Sequence, residues 1–476
     1  MYLSKNNIFK NFSVLAGINL SIQILSIFSS IRLARLLEPK GYGFFNLVFL
    51  QATIFSIIAS YGLRLVIIRQ IGRNREDAKK IFLISSQIRF FTTLISIFFA
   101  IGYNLFLVNA SQSLFFLFAV ILSIIFQILW DTIECVTFGY EKMIPSGYIN
   151  LIFTFIWITE VYLIPVNSFS ILKVTYFYIL NQFIKTIIFY IWTNKYILKF
   201  SFFKTDKYNG FSEYKIILKQ ASFFFIISVF TAFQNQIPIL LLQLNSSVDQ
   251  IGLFNLGNRI LSPMQLMLNT LLTAIFPMLS RIAIHDPIKF KIRIKSLLNI
   301  TILFGVWASF CFALFSRDLI SLLYGEAYIN TSKIILTQCW FTLMFAIFCI
   351  IGTVLSAFDK QRLLAILSMI YTLISFPIFY FGSKFGAIGL SISFVIAAFI
   401  NMTYHWIYFI KLLKKGISIE YSLSIFSLIG ILTFLTYNYE FNISMIMRIT
   451  LLIIITLSTL FYIYKIEYKS IITDSK

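Results

Sequence analysis

Charged side chains interrupt long apolar runs at Arg32, Arg35, Arg64, Arg89, Asp131, Glu134, Glu160, Lys185, Arg259 and Arg448. An ionisable group in hydrocarbon is costly, which makes each a functional candidate. Arginine presents a planar fork of donors that grips phosphate or carboxylate by two bonds, whereas lysine supplies a compact point charge. Arg32, Arg64, Arg89, Lys185 and Arg259 are therefore the candidates for a cationic cavity that receives an anionic solute. Arg89 follows Lys80 by nine residues, about 13 Å of helix. Lys185 lies at a similar depth from the inner end of its run, and Arg32 and Arg259 fall in the outer third. Arg64 stands five residues before Arg69, within snorkelling reach of the headgroups. Snorkelling also accounts for Arg35 and Arg448.

The acids allow several roles. Asp131 and Glu134 are three residues apart, on one face of a helix. They fit an ion pair, a solvated helix end or a coupling-ion site. Glu160 lies two-thirds of the way through its apolar run, near Trp157. It either pairs with a basic residue or binds a coupling ion. His405 reads as a structural hydrogen-bonding group, and His285 is far from it in sequence. Cys135, Cys311, Cys339 and Cys349 form no CxxC pair and have no histidine cluster around them, so they read as small apolar filler and no metal or cofactor is expected.

Two polar stripes accompany the charges. Asn19, Gln23, Ser26 and Ser30 share one helix face, with Arg32 and Arg35 on the opposite side. Ser228, Thr231 and Asn235 partly repeat the pattern. Such stripes serve either interhelical hydrogen bonding or the lining of a cleft. Gln234, Asn235, Gln236 and Pro238 predict a kink, since proline cannot donate to the helical ladder.

The elements that carry these residues are membrane helices. The 476-residue chain is 59% hydrophobic and 12% charged, with a mean hydropathy of +0.88. That charge is too sparse to cover a soluble surface. Runs of about 20 apolar residues, each able to cross a bilayer core of roughly 30 Å, predict a polytopic all-α protein. Fourteen spans are expected, near 11–37, 42–68, 81–108, 113–133, 145–166, 169–193, 216–244, 252–280, 295–316, 333–357, 363–381, 385–410, 419–436 and 445–464. The first run reads as a membrane helix, being too long for the apolar core of a cleavable leader. With the N-terminus inside, 27 of 39 Lys and Arg residues fall in inner segments and five in outer loops. That asymmetry predicts cytoplasmic N- and C-termini. It also assigns the net charge of +21 to topology signals facing anionic headgroups and away from nucleic acid.

The chain repeats itself. Shifted by 209 residues, Lys10 falls on Lys219, Ser26 on Asn235, and GFFNL (43–47) on GLFNL (252–256). Six spans separate the copies, an even number, so both have one orientation. The expected organisation is an N-terminal lobe at 1–200 (spans 1–6), a cytoplasmic linker at 201–215, a C-terminal lobe at 216–415 (spans 7–12) and a helix pair at 416–476. Gly41 and Gly43, and Gly252 in the echo, are expected to turn the chain at the outer surface.

The run RLARLLEPKGYGFFNLVFL…YGLRLVIIRQIGR, residues 32–73, resembles the N-terminal signature of polysaccharide-export flippases, the Wzx-type O-antigen and capsule-unit translocases. These belong to the multidrug/oligosaccharidyl-lipid/polysaccharide exporter superfamily. The resemblance implies a MATE-like fold in the bacterial inner membrane and no enzyme activity. It implies alternating-access flipping of an undecaprenyl-diphosphate-linked oligosaccharide to the periplasmic leaflet, for O-antigen or other surface polysaccharide. It leaves open coupling to a proton or sodium gradient, through Glu160, Asp131 or Glu134. The lipid-linked oligosaccharide and the bilayer are the implied partners, with a polymerase and a chain-length regulator as further candidates. The alternatives are a multidrug or solute exporter of the same superfamily and a membrane-embedded polysaccharide polymerase. An exporter of organic cations needs a negative cleft, whereas these spans hold more Arg and Lys than Asp and Glu. A polymerase needs a large loop or a catalytic cluster.

Overall fold

The computed structural model describes residues 5–106, 114–198, 211–358 and 360–413, together with 449–450, 453 and 456–457. The long elements among them are thirteen α-helices. In chain order these are α1 (Lys5–Ser60), α2 (Leu63–Arg73), α3 (Ala78–Phe106), α4 (Leu114–Gly139), α5 (Ile144–Leu163), α6 (Ile171–Thr193) and α7 (Phe211–Asn235). They continue as α8 (Ile237–Asn245), α9 (Val248–His285), α10 (Pro287–Tyr324), α11 (Thr331–Ala357), α12 (Gln361–Ser383) and α13 (Gly386–Leu413).

Ten of these helices are long and apolar enough to cross a membrane. α1 does so twice, because it breaks at Glu38 into arms 5–37 and 39–60. At 1.5 Å per residue the arms run about 50 Å and about 33 Å, each enough for one crossing. Together with α9, 38 residues long, these helices overlap the first twelve expected spans. The expected spans 419–436 and 445–464, and Arg448, lie outside the described residues apart from the few positions noted.

The reversals sit upstream of the expected glycines. In the first copy the chain turns at Glu38 (φ 56, ψ 173), and Gly41 and Gly43 are already helical. Proline disfavours the helical conformation at the residue before it, so Pro39 favours a break at Glu38. In the second copy the turn lies between Asn245 and Val248, and Gly252 is inside α9. The repeated asparagine serves its own helix in the first copy, where the Asn46 amide donates to the Tyr42 carbonyl at 2.7 Å. The predicted kink at Pro238 appears as a break at Gln236 that separates α7 from α8.

The chain forms two compact units, Met1–Leu244 and Asn245–Lys476. In unit 1, α1 packs against α3, α4 and α5, and α4 against α2, α3 and α6. In unit 2, the buried helix α11 packs against α9, α10 and α13. Trp340, Leu343, Ile347, Ile351 and Val354 of α11 are all buried. His405 of α13 is buried as well. Its Nδ1 lies 2.9 Å from the Asn401 carbonyl and its ring stands edge-on to Phe348.

The repeat places the α7 sequence at the head of the second lobe, yet α7 packs within unit 1, against α1 and α2. Gly62, between α1 and α2, makes this approach possible. Its φ is +68, and a Cβ there would lie within 3.0 Å of backbone atoms of Ala221, Phe224 and Phe225. Around it Leu63, Val66, Ile67 and Ile71 of α2 bury with Ile81 and Phe82 of α3 and with Ile217 and Ala221 of α7. Gly62→Ala should therefore lower the thermal midpoint of the detergent-solubilised protein. Left-handed strain alone costs about 1–3 kcal/mol, before the overlap is counted. Gly17→Ala, with nothing within 4 Å of its new methyl group, should leave the midpoint unchanged or raise it. Tryptophan-fluorescence melting would separate the two, and equal midpoints would refute the close-packing account.

Candidate functional site

α4 supplies the acids of the site and its neighbours supply the bases. Asp131 and Glu134 sit eight and five residues before the end of α4 at Gly139. Arg64 is nine residues before the end of α2, Arg89 is eleven after the start of α3, and Lys185 is eight before the end of α6. These helix ends adjoin the basic connecting segments, so the five groups lie at matched depth.

Four of them converge. Arg64 pairs with Asp131 through Nη1 and with Glu134 through Nη2 at 2.8 Å. Arg89 Nη2 meets the other oxygen of Asp131 at 2.5 Å. Asp131 thus joins an arginine from α2 to an arginine from α3. The Arg89 side chain is only 2% exposed, and its Nη1 donates to Thr132 Oγ1 at 2.6 Å. Thr132 Oγ1 donates in turn to the Ile128 carbonyl. Cys135 Sγ lies 3.7 Å from Arg89 Nη2 and 3.8 Å from Asp131 Oδ2. This cysteine, expected as apolar filler, closes one side of a charge network. Arg64 remains 37% exposed and stands over the Phe138 ring at 5.2 Å.

Lys185 flanks the network. Its buried ammonium lies 4.5 Å above the Trp130 ring centroid and 3.3 Å from Asn150 Oδ1. It is also within electrostatic reach of Glu134. A cation over an indole face is stabilised by the ring quadrupole. Trp130, Asn150 and Thr132 are not among the residues the sequence singles out, and Cys135 is singled out only as apolar filler. Trp130, Thr132 and Cys135 were legible as neighbours of Asp131 and Glu134 on α4. Asn150 carried no such signal.

The other candidates lie elsewhere. Arg32 Nη2 is 3.5 Å from the Ile164 carbonyl, its guanidinium stands 5.4 Å from the Tyr162 ring, and its Nε is buried without a hydrogen-bond partner. Glu160 sits in the last turn of α5, because that helix ends at Leu163. It is thus nearer the helix end than its place in the apolar run suggested. Arg259 is on α9 in unit 2, where the Ser262 hydroxyl donates to its carbonyl. Ser26, Ser30, Ser228, Thr231 and Asn235 of the polar stripes each donate to a carbonyl three or four residues back in their own helices. Among the described residues no group of three His, Cys, Asp or Glu is placed to hold a metal ion.

Comparison with known proteins locates this arrangement. Residues 8–283, more than half of the chain, match the family described as "Polysaccharide biosynthesis protein". No curated protein matches in sequence. Among solved structures, the lipid II flippase MurJ in an inward closed conformation superposes with a TM-score of 0.70 at 17% identity, covering 96% of this chain and 99% of its own. A multidrug resistance MATE family transporter of the MOP superfamily, inward-facing, gives 0.62 at 13% identity, covering 85% and 100%. An outward-facing transporter of that description gives 0.55 at 15% identity, covering 85% and 95%. At these identities the likeness establishes the fold, which is the all-α, MATE-like architecture expected.

The network makes a thermodynamic prediction. Removing one partner of a buried ion pair strands the other charge and costs about 3–5 kcal/mol, whereas replacing both with apolar groups of similar volume is close to neutral. Asp131→Leu, which strands Arg89, should destabilise the purified protein strongly; Arg89→Met, which leaves Asp131 paired with Arg64, should cost less, and the double variant should recover much of the Asp131→Leu loss. Additive effects in this double-mutant cycle would show that the two groups are not coupled.

Proposed function

The chain belongs to the polysaccharide biosynthesis protein family, and on that basis we propose that it flips an undecaprenyl-diphosphate-linked oligosaccharide repeat unit across the bacterial inner membrane. Movement is from the cytoplasmic to the periplasmic leaflet, by alternating access, in the synthesis of O-antigen or another surface polysaccharide. Both termini face the cytoplasm, with the basic segments. The lipid tail stays in the bilayer while the headgroup crosses. A polymerase and a chain-length regulator are the proposed downstream partners. One of the similar folds is that of a lipid II flippase, and a lipid cargo is proposed here too.

The observation that carries this reading is the charge held within unit 1. Among the described residues, Arg64, Arg89 and Lys185 face Asp131 and Glu134, three cations against two carboxylates, an excess of one positive charge. An anionic diphosphate is stabilised by that excess, and an organic cation is repelled by it. Arg64 and Arg89 are engaged by the acids, so the proposed contact for the cargo is Lys185. A lysine held by a neutral amide and a ring face keeps donors for a phosphate oxygen. Arg32 and Arg259 are proposed as further cationic contacts along the path.

Deleting the gene in its host should abolish the surface glycan and strand complete repeat units on the cytoplasmic leaflet. In that background Lys185→Gln, expressed to the wild-type level, should flip at least about tenfold more slowly, the loss of one charge-assisted hydrogen bond. Normal glycan with raised drug sensitivity would favour an exporter. Units that reach the periplasmic leaflet but stay unpolymerised would favour a polymerase.

A further inference from the structure

At the end of unit 1 away from the basic segments, the first turn of α4, the last turn of α5 and the first turns of α6 enclose a cleft of about 690 Å³. Its walls are apolar and aromatic, with Phe115, Leu163, Leu172 and Phe177 among them. Leu163 and Leu172 are well exposed, so the cleft opens toward the lipid side of the bundle. Two charged residues line it, Glu160 from α5 and Lys173 from α6. Their depths match: Glu160 is three residues before the end of α5, and Lys173 is two after the start of α6, about 3–5 Å along each helix axis. The start of α6 is held by Ser170, whose side chain accepts from the Lys173 backbone N–H.

The two charges are not joined to each other. Asn181 lies beside the Glu160 carboxyl group, but Glu160 Oε2 is buried and makes no hydrogen bond. Lys173 extends from an exposed position. Arg32 backs the wall through its contact with the Ile164 carbonyl. As a carboxylate on the cleft wall, Glu160 favours a group that brings N–H and positive charge. Lys173 offers an anion a charged donor at the same level, and the apolar walls suit a hydrocarbon chain. A simple cation would leave Lys173 and the walls unused, and an anionic lipid would face Glu160 as a like charge.

We propose that this cleft binds a phospholipid whose zwitterionic headgroup carries a primary ammonium, that is, a phosphatidylethanolamine. The ammonium donates to Glu160, the phosphate accepts from Lys173, and an acyl chain lies along the aromatic wall. Phosphatidylcholine is a weaker ligand, because its quaternary nitrogen has no N–H to donate to the Glu160 carboxylate. The site is an annular lipid site, separate from the Lys185 region, and does not depend on the identity of the cargo.

The test is native mass spectrometry of the delipidated full-length protein titrated with phosphatidylethanolamine, phosphatidylcholine or phosphatidylglycerol. The wild type should take up its first phosphatidylethanolamine at a concentration about fivefold lower than either competitor, the scale of one partly exposed charge pair. Glu160→Gln should erase that preference. Lys173→Gln, at an exposed position where folding is not at stake, should weaken phosphatidylethanolamine and phosphatidylglycerol alike. A wild type that prefers phosphatidylglycerol, or has no preference, overturns the proposal. So does a Glu160→Gln protein that keeps the lipid preference while its transport loses dependence on a proton gradient, which would assign the carboxylate to ion coupling.

Discussion

In hydrocarbon a bare guanidinium has nowhere to put its charge, and in this protein two of them, on α2 and α3, meet one carboxylate on α4. Asp131 accepts from Arg64 with one oxygen and from Arg89 with the other. The three helices are thereby fixed in depth relative to one another, because sliding any one of them by a turn would strand a charge. Buried ion pairs are poor sources of net stability and good sources of register. The surrounding apolar cluster of α2, α3 and α4 residues packs against that registered frame.

This frame gives the same residue types different roles. Arg89 is sealed by Asp131, Thr132 and Cys135, so its bidentate fork is occupied. Lys185 lies at comparable depth on α6 but is held by an amide oxygen and an indole face. What separates a structural cation from a candidate binding cation is therefore the presence of a carboxylate within ion-pair distance. The acids divide in the same way. Asp131 and Glu134 are engaged by arginines, while Glu160 retains a buried oxygen without a donor.

Breaks in the helices matter as much as the charges. Pro39 disfavours helical geometry at Glu38, where a 56-residue helix divides into two crossings. Pro238 separates α7 from α8. Gly62, with positive φ and no side chain, admits the α7 backbone against α2. Lys80 and Glu213 pair at 2.5 Å beside this contact, and Arg69 donates to Gln220 at 2.9 Å. The polar ends of α2, α3 and α7 thus reinforce what the apolar packing brings together.

Much of this was present in the linear chain. Hydropathy determined the class and the long apolar helices, because the bilayer sets a minimum length for an apolar helix. Pro238 marked its break, and the run from Arg32 to Arg73 pointed to the family that the match over residues 8–283 establishes. Even the ion pairs were partly legible, since Arg64, Arg89, Asp131 and Glu134 lie at similar distances from their helix ends. Depth along a helix is a property of sequence, because the rise per residue is constant. Rotation and neighbourhood are not. Only tertiary packing decided that Arg89 turns inward to Asp131, that Lys185 meets Asn150 and Trp130, and that α7 packs with the first unit. Each depends on which helix faces which, and contacts between residues 35 or more positions apart set that without leaving a local pattern.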